Sequence, residues 1–228
     1  MSSGSAVLRL GHRGARRECT ENTLPSLQRA LDLGADGVEC DLRMTGDGQV
    51  VLFHDPDLRR LLGRPDRLDQ TVWSELRRLP LRGGGRVALL EDLLAVWPTE
   101  AWLNLELKSG GREMVARTLA LVSARPRTFL SSFDPGLLRF ADSAGWQGER
   151  WLILGLRSAP HLFSHGAASL GCQGVVLQAP LCAPKSVVHR RQAGLGVATW
   201  GARNRAHERR LVAVGVGRVI TDDPRAVL

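Results

Sequence analysis

Short apolar blocks alternate with helix-period segments along this chain, and that alternation constrains the fold more than any other feature. The blocks are Ala6–Leu10, Gly37–Leu42, Trp102–Leu107, Thr128–Leu130, Trp151–Gly155, Gly174–Leu177, Gly196–Thr199 and Arg218–Ile220. Most are continuously apolar rather than strictly alternating, which is the pattern of parallel strands covered on both faces. Helical patterns fall between them at Thr23–Leu33, Leu90–Trp97, Glu113–Ala124, Pro135–Ser143, Pro160–Ala168, Pro184–Ala193 and Asn204–Val214. In the first, Leu24, Leu27 and Leu31 share a stripe; Pro98 and Pro126 stop the second and third. Strict β/α alternation predicts a (β/α)8 TIM barrel, closed by a helical stub at Asp223–Leu228. The fold typically takes ~250 residues, so the 228 here are expected to form one domain, 1–228.

One stretch breaks the rhythm. Val50–Phe53 is a short extended piece, followed by an Arg- and Leu-rich segment with a small helix near Val72–Leu79 and a Gly83-Gly84-Gly85 run. It reads as an insertion after the second barrel strand, approximately residues 55–86, lying over one end of the barrel.

Charge poses the next question. Lysine and arginine total 31 against 23 acidic residues, a formal net charge of +8, with a sequence pI near 10.7. Such a balance invites a nucleic-acid or anionic-membrane reading. The arginines, however, come as scattered pairs (Arg16-Arg17, Arg59-Arg60, Arg77-Arg78, Arg190-Arg191, Arg209-Arg210), mostly at helical spacing beside apolar residues. No helix-turn-helix, zinc-finger or aromatic-basic RNA motif accompanies them, so a solvated Arg-rich exterior is expected and no specific nucleic-acid partner. Cys19, Cys40, Cys172 and Cys182 form no CxxC and no close pair with histidine, which excludes a structural zinc pattern and fits reduced thiols in a cytoplasmic protein. The first ten residues have neither the basic nor the apolar region of a signal peptide, and no run reaches the ~20 residues of a membrane span. Nothing in the chain points to an oligomeric state.

In a TIM barrel the chemistry gathers at the carboxyl ends of the strands. The first strand runs into Gly11-His12-Arg13-Gly14, the second contains Glu39-Cys40-Asp41, Val50–Phe53 runs into His54-Asp55-Pro56, and the third barrel strand contains Asn104-Leu105-Glu106-Leu107-Lys108. Residues two apart on a strand share a side, so Glu39 and Asp41 face together, as do Glu106 and Lys108, while Cys40, Leu42, Leu105 and Leu107 face the outer helices. Three carboxylates turned into a barrel mouth are costly unless something compensates them, and oxygen donors of this kind suit Mg2+ or Ca2+ better than zinc. Each element has a plainer reading: Glu106 and Lys108 as an internal ion pair, His12 as a turn histidine, His54-Asp55-Pro56 as a strand end. Glu21-Asn22-Thr23 reads as a helix start, with Asn or Thr capping and Glu complementing the helix dipole. Those readings leave the joint placement at successive strand ends unexplained. Two histidines, with ordinary pKa near ~6.5, can take one proton and give another near neutral pH.

The combination resembles the glycerophosphodiester phosphodiesterases. It is carried by Gly11-His12-Arg13-Gly14, Glu21-Asn22-Thr23, Gly34 to Asp41, His54-Asp55-Pro56, Asn104 to Lys108, Ser132-Phe133-Asp134 and Ile220-Thr221-Asp222-Asp223-Pro224, in that order from about residue 8 to the C-terminus. The resemblance implies a metal-dependent hydrolase of glycerol and lipid metabolism, converting a small glycerophosphodiester to glycerol 3-phosphate and an alcohol through a cyclic phosphate. It implies Glu39, Asp41 and Glu106 as ligands of Mg2+ or Ca2+, His12 and His54 as general base and acid, and Arg13 and Lys108 on the phosphate oxygens. The small insertion has a counterpart in that family at the same place. Trp200 is expected as an apolar wall of the substrate pocket, with barrel packing as its plainer role. The chain departs from the family pattern at Arg17-Glu18-Cys19-Thr20, at Gly201-Ala202-Arg203-Asn204 and at Gly215-Val216-Gly217-Arg218, which puts a pocket-rim loop and a local turn in question. A lysophospholipase D using the same centre, with Leu58, Leu61 and Leu62 lining a greasier pocket, is the enzymatic alternative. A non-catalytic phosphodiester or nucleic-acid binder is the alternative of another class.

Overall fold

The computed structural model describes residues 7–108, 110–123, 125–158 and 166–225. Eight parallel strands close on themselves: β1 (Leu8–His12), β2 (Gly37–Met44), β4 (Trp102–Leu107), β5 (Thr128–Ser132), β6 (Arg150–Leu154), β7 (Gly174–Gln178), β8 (Gly196–Trp200) and β9 (Arg218–Thr221), with β1 bonded to both β2 and β9. The short β3 (Val50–Leu52) pairs antiparallel with the far end of β2. Between the strands lie α1 (Leu24–Asp32), α2 (Arg59–Leu62), α3 (Trp73–Leu76), α4 (Leu90–Val96), α5 (Gly111–Val122), α6 (Pro135–Ser143), α7 (Ala167–Ser169), α8 (Pro184–Gln192) and α9 (Arg205–Ala213). The arrangement is the expected (β/α)8 TIM barrel. The helix foreseen at Pro160–Ala168 lies largely outside the described residues. Of the foreseen stub at Asp223–Leu228, residues 223–225 are not helical and 226–228 lie outside the described residues.

Local signals explain where helices start. Thr23 caps α1 by accepting from the Ser26 amide at 3.3 Å, with Pro25 in the first turn, where its missing N–H costs nothing. Asp134 caps α6 through the Gly136 amide at 2.7 Å, and Asn204 caps α9 through the His207 amide at 2.9 Å.

Period-two alternation splits each strand between two cores. Ile153 and Val176 point inward with Leu10, Phe129, Trp151, Ala198 and Ile220. Their neighbours Leu152, Leu154, Val175 and Leu177 pack outward with Leu138 of α6, Val187 of α8 and Leu211 of α9. Cys40, Leu42, Leu105 and Leu107 likewise face outward onto α1, α4 and α5, as the spacing requires. At the amino end of the strands Arg218 sits over Trp151 (4.2 Å), Phe129 (4.7 Å) and Trp102 (5.2 Å) and pairs with Glu149 at 2.7 Å. The sequence departure at Gly217-Arg218 therefore fills the barrel floor, far from the strands' carboxyl ends.

The segment after β3 has its own small core of Val51, Phe53, Leu58, Leu61, Leu68, Leu76, Leu81 and Val87. It is tied to the end of β2 by the Gly46 amide to Thr71 carbonyl bond at 2.9 Å.

Candidate active site

Register places the ionisable residues in two adjacent rows of the barrel. His12 stands opposite Glu39 across β1 and β2, Glu39 opposite Asn104, and Asp41 opposite Glu106 across β2 and β4. They converge on a cavity of about 160 Å³, lined on one side by His12, Arg13, Glu39, His54, Glu106 and Lys108 and on the other by Phe133, Ile153, Val176, Trp200 and Ile220. Trp200 lines this cavity and meets the Phe133 ring edge to face at 6.1 Å.

Glu39, Asp41 and Glu106 are all buried, and each offers an oxygen within 4.8 Å of the others. Their carboxyl groups are driven in different directions. Burial, reinforced by the charges of Asp41 and Glu106, pushes Glu39 well above the ordinary carboxylate range. Burial also lifts Glu106, to about 7, against the pull of Lys108 and with the push of Asp41. Burial acts on Asp41 too, but Lys108, Arg13 and the Asn22 hydrogen bond hold it below the usual range. Lys108 Nζ lies 3.1 Å from Asp41 and 2.6 Å from Glu106. Burial would weaken its hold on the proton, and those two carboxylates more than compensate, raising its pKa. Arg13 Nε is 3.0 Å from Asp41 and its Nη1 donates to Glu21 at 2.9 Å.

Glu39 Oε1 is buried with no hydrogen-bond partner among the described residues, and the buried Asp41 Oδ1 and Glu106 Oε1 are met only by the Lys108 ammonium. Three buried carboxylates this close together, sharing one ammonium and leaving one oxygen unpartnered, are what a divalent cation satisfies. The residues fit that group.

Each histidine rests on a carboxylate. His12 Nδ1 lies 2.6 Å from Asp222 Oδ1, with its Nε2 3.9 Å from Glu39. His54 Nδ1 lies 2.7 Å from Asp55 Oδ1. Such a contact holds the ring and favours the tautomer with the proton on Nδ1, leaving Nε2 to exchange one. Burial lowers the His54 pKa; Lys108 and Arg13 add to this, against Asp41 and Asp55.

The loop after β1 overturns one expectation. Only Thr23 of the Glu-Asn-Thr run serves the helix. Asn22, with a left-handed backbone (φ 56°), donates to Asp41 Oδ2 at 2.7 Å and accepts from the Asp41 amide at 3.1 Å. Glu21 complements no helix end, since α1 has no acid in its first turn; it is buried between Arg13 and Arg60. Gly14 makes the turn possible: its φ is +86°, and a Cβ there would come within 2.5 Å of the Ser26 backbone.

Of the eight candidate residues, the structure places seven around one cavity, and the eighth, Asp41, offers an oxygen within 4.8 Å of those of Glu39 and Glu106. Sequence reasoning missed the supporting roles of Asn22, Glu21 and Arg60, and it noted Asp55 and Asp222 only as parts of motifs. Ser131, passed over, donates to Asn104 Oδ1 at 2.8 Å in the cavity wall. The only signal for Asp55 and Asp222 was an acid beside a histidine or at the final strand's end; none marked Arg60 apart from its neighbours.

A family model described as the glycerophosphoryl diester phosphodiesterase family matches residues 12–226. A glycerophosphodiester phosphodiesterase of Caldanaerobacter subterraneus subsp. tengcongensis is 25% identical over 239 residues, spanning 97% of this chain and 96% of its own length. The crystal structure of glycerophosphodiester phosphodiesterase from Thermotoga maritima matches with a TM-score of 0.85 and 26% identity, covering 97% of this chain and 96% of that one. Human lysophospholipase D GDPD1 is 27% identical over 135 residues, 54% of this chain and 43% of its own length.

Proposed function

This chain belongs to the glycerophosphoryl diester phosphodiesterase family, and we propose that it hydrolyses small glycerophosphodiesters to glycerol 3-phosphate and an alcohol. The observation that carries this reading is the pair of histidines, each backed by a carboxylate, beside three buried carboxylates whose oxygens lie within 4.8 Å of one another. Glu39, Asp41 and Glu106 would hold Mg2+ or Ca2+, which when bound supplies Lewis-acid polarisation of oxygen and neutralises developing charge.

In this mechanism His12, its Nδ1 fixed by Asp222, removes the proton from the glycerol C2 hydroxyl. The hydroxyl oxygen bonds to phosphorus as the phosphorus–oxygen bond to the alcohol breaks, and His54 delivers a proton to the departing oxygen. The neighbouring hydroxyl carries a large entropic advantage once the diester is oriented. Water then opens the cyclic phosphate with the two histidines exchanging roles. Arg13 and Lys108 hold the phosphate oxygens, and Trp200 walls the pocket opposite. With a divalent cation, the three carboxylates and these two cations leave one positive charge, matched to a singly charged diester. The anionic diester also offsets the two cations that depress the His54 pKa, restoring its capacity to act as an acid.

The test is coupled detection of glycerol 3-phosphate from glycerophosphocholine. Chelation with EDTA and His12→Ala are each expected to lower turnover at least about 100-fold; turnover that survives both refutes the mechanism.

The alternative pocket for a lysophospholipid placed Leu58, Leu61 and Leu62 at the site. Leu58 and Leu61 are instead buried in the insertion's own core, with Leu62 packed against it. Glycerophosphocholine is accordingly expected to be turned over faster than lysophosphatidylcholine, and a direct comparison of the two checks it. The setting we propose is cytoplasmic, supported by the four free cysteines. Among the described residues no helix is long and apolar enough to cross a membrane.

A further inference from the structure

We infer that Arg60, in the insertion, is a positioning residue that sets both halves of the reaction, fixing His54 through Asp55 and Arg13 through Glu21. The inference rests on the roles proposed above for His54 and Arg13. Arg60 Nε donates to Asp55 Oδ2 at 2.6 Å, while the other oxygen of the same carboxylate, Oδ1, lies 2.7 Å from His54 Nδ1. Arg60 Nη1 and Nη2 donate to Glu21 Oε2 and Oε1 at 2.9 and 2.7 Å, and Glu21 Oε1 also accepts from Arg13 Nη1 at 2.9 Å. One guanidinium therefore orders two carboxylates, and each carboxylate presents an oxygen to a side chain lining the cavity.

Only a planar fork can do this. Nε and the two Nη groups point along fixed directions, two parallel bonds to one carboxylate and one to the other. A lysine ammonium carries the same charge without that geometry. Arg60 is itself held by α2, which Leu58 and Leu61 anchor in the insertion's core. The inserted segment is thus a brace for the site: it locks the rotamer of Asp55 immediately after His54 and holds Glu21, 39 residues away in the chain. Arg60 is half-exposed and the buried Glu21 keeps its pair with Arg13 when Arg60 is replaced, so the consequences are expected chiefly in turnover.

The two ends of the brace predict two separable defects. A loosened His54 delivers its proton less well to an alcohol that cannot leave as an anion, whereas p-nitrophenolate departs without a proton. A loosened Arg13 weakens the hold on the phosphate whatever the leaving group. Purified full-length protein with added Mg2+ or Ca2+ is assayed on glycerophosphocholine and on the glycerol 3-phosphate ester of p-nitrophenol, for wild type, Arg60→Met, Arg60→Lys and His54→Ala.

For Arg60→Met, kcat on glycerophosphocholine is expected to fall about tenfold or more and on the nitrophenyl ester no more than about threefold, with KM raised on both. Arg60→Lys is expected to show the same preference for the nitrophenyl ester, because charge alone does not replace the fork; it also serves if the Met variant does not fold. His54→Ala is expected to show the leaving-group preference most strongly. If His54→Ala shows it and the Arg60 variants slow both substrates equally, the inference about Arg60 fails alone. If His54→Ala itself slows both equally, the acid role of His54 fails and takes this inference with it.

Discussion

Asp41 and Glu106 face each other across adjacent strands, both buried, yet one carboxyl group is held below its ordinary range and the other is raised to about 7. The cause is unequal partnership: Asp41 receives Lys108, Arg13 and Asn22, while Glu106 has Lys108 and the repulsion of Asp41. The linkage follows. A carboxyl group whose folded pKa is raised contributes stability that is whole below its unfolded pKa and is lost as pH rises through the folded one; Glu106 therefore costs the metal-free protein stability as pH approaches 7. A cation that needs the carboxylate reverses that cost only where the proton has already left. The rise in melting temperature on adding Mg2+ or Ca2+ is expected to be small near about pH 5.5 and large near about pH 8, and Glu106→Gln is expected to reduce that difference, with the raised Glu39 carrying the remainder. At the other side of the cavity Asp222→Asn removes the charge that holds His12 Nδ1. Turnover is expected to fall about 100-fold, with the melting temperature nearly unchanged, as read by steady-state kinetics and calorimetry. The carboxylates were legible in the sequence because period-two spacing puts Glu39 with Asp41 and Glu106 with Lys108. Glu21 and Asn22 were not, since a helix start and a hydrogen-bonded support for a buried Asp use the same residue types.

At the scale of elements, the strands were legible because burial on both faces leaves continuous apolar blocks, and the helices because caps and prolines mark their ends. The four-residue α2 (Arg59–Leu62) was not, because one turn shows no periodicity. Nor did the sequence show that Val50–Leu52 would run antiparallel to the end of β2, a pairing set by the return of the chain. The inner barrel layer depends on close approach: a Cβ on Gly174 would lie 2.5 Å from the Trp151 ring. Gly174→Ala is expected to destabilise the protein by about 1–3 kcal/mol, measured by denaturant unfolding, because the large indole has no free space to move into. Leu68→Ala, in the insertion's small core, is expected to cost about 2–5 kcal/mol by the same measurement through the cavity it leaves.

At the scale of the whole molecule, the net charge of +8 proves a weaker guide than its size suggests. The expectation of a mainly solvated arginine exterior holds for most of the arginines, with exceptions that are structural. Arg9, Arg13, Arg150 and Arg190 are buried. Arg9 pairs with the buried Glu208 at 2.8 Å, Arg150 donates to the carbonyls of Leu170 and Gly171, and Arg218 seals the floor. Cations spent on internal carboxylates and carbonyls are not offered to a polyanion. Duplex DNA is expected to be retained only at low ionic strength and to dissociate by about 0.15 M salt, where the Debye length is about 8 Å; a salt-gradient retention assay checks this. The sequence by itself determined the (β/α)8 architecture and the set of carboxylates and histidines at its strand ends, because both follow from local periodicity and from position within a strand. Only the tertiary structure decided which partner each group answers to. His12 meets Asp222 across 210 residues, Arg60 meets Glu21 across 39 and Asn22 meets Asp41 across 19. Those pairings depend on barrel closure and on where an insertion folds back, and charge neutralisation acts through distance in space, which the order of residues along a chain does not encode.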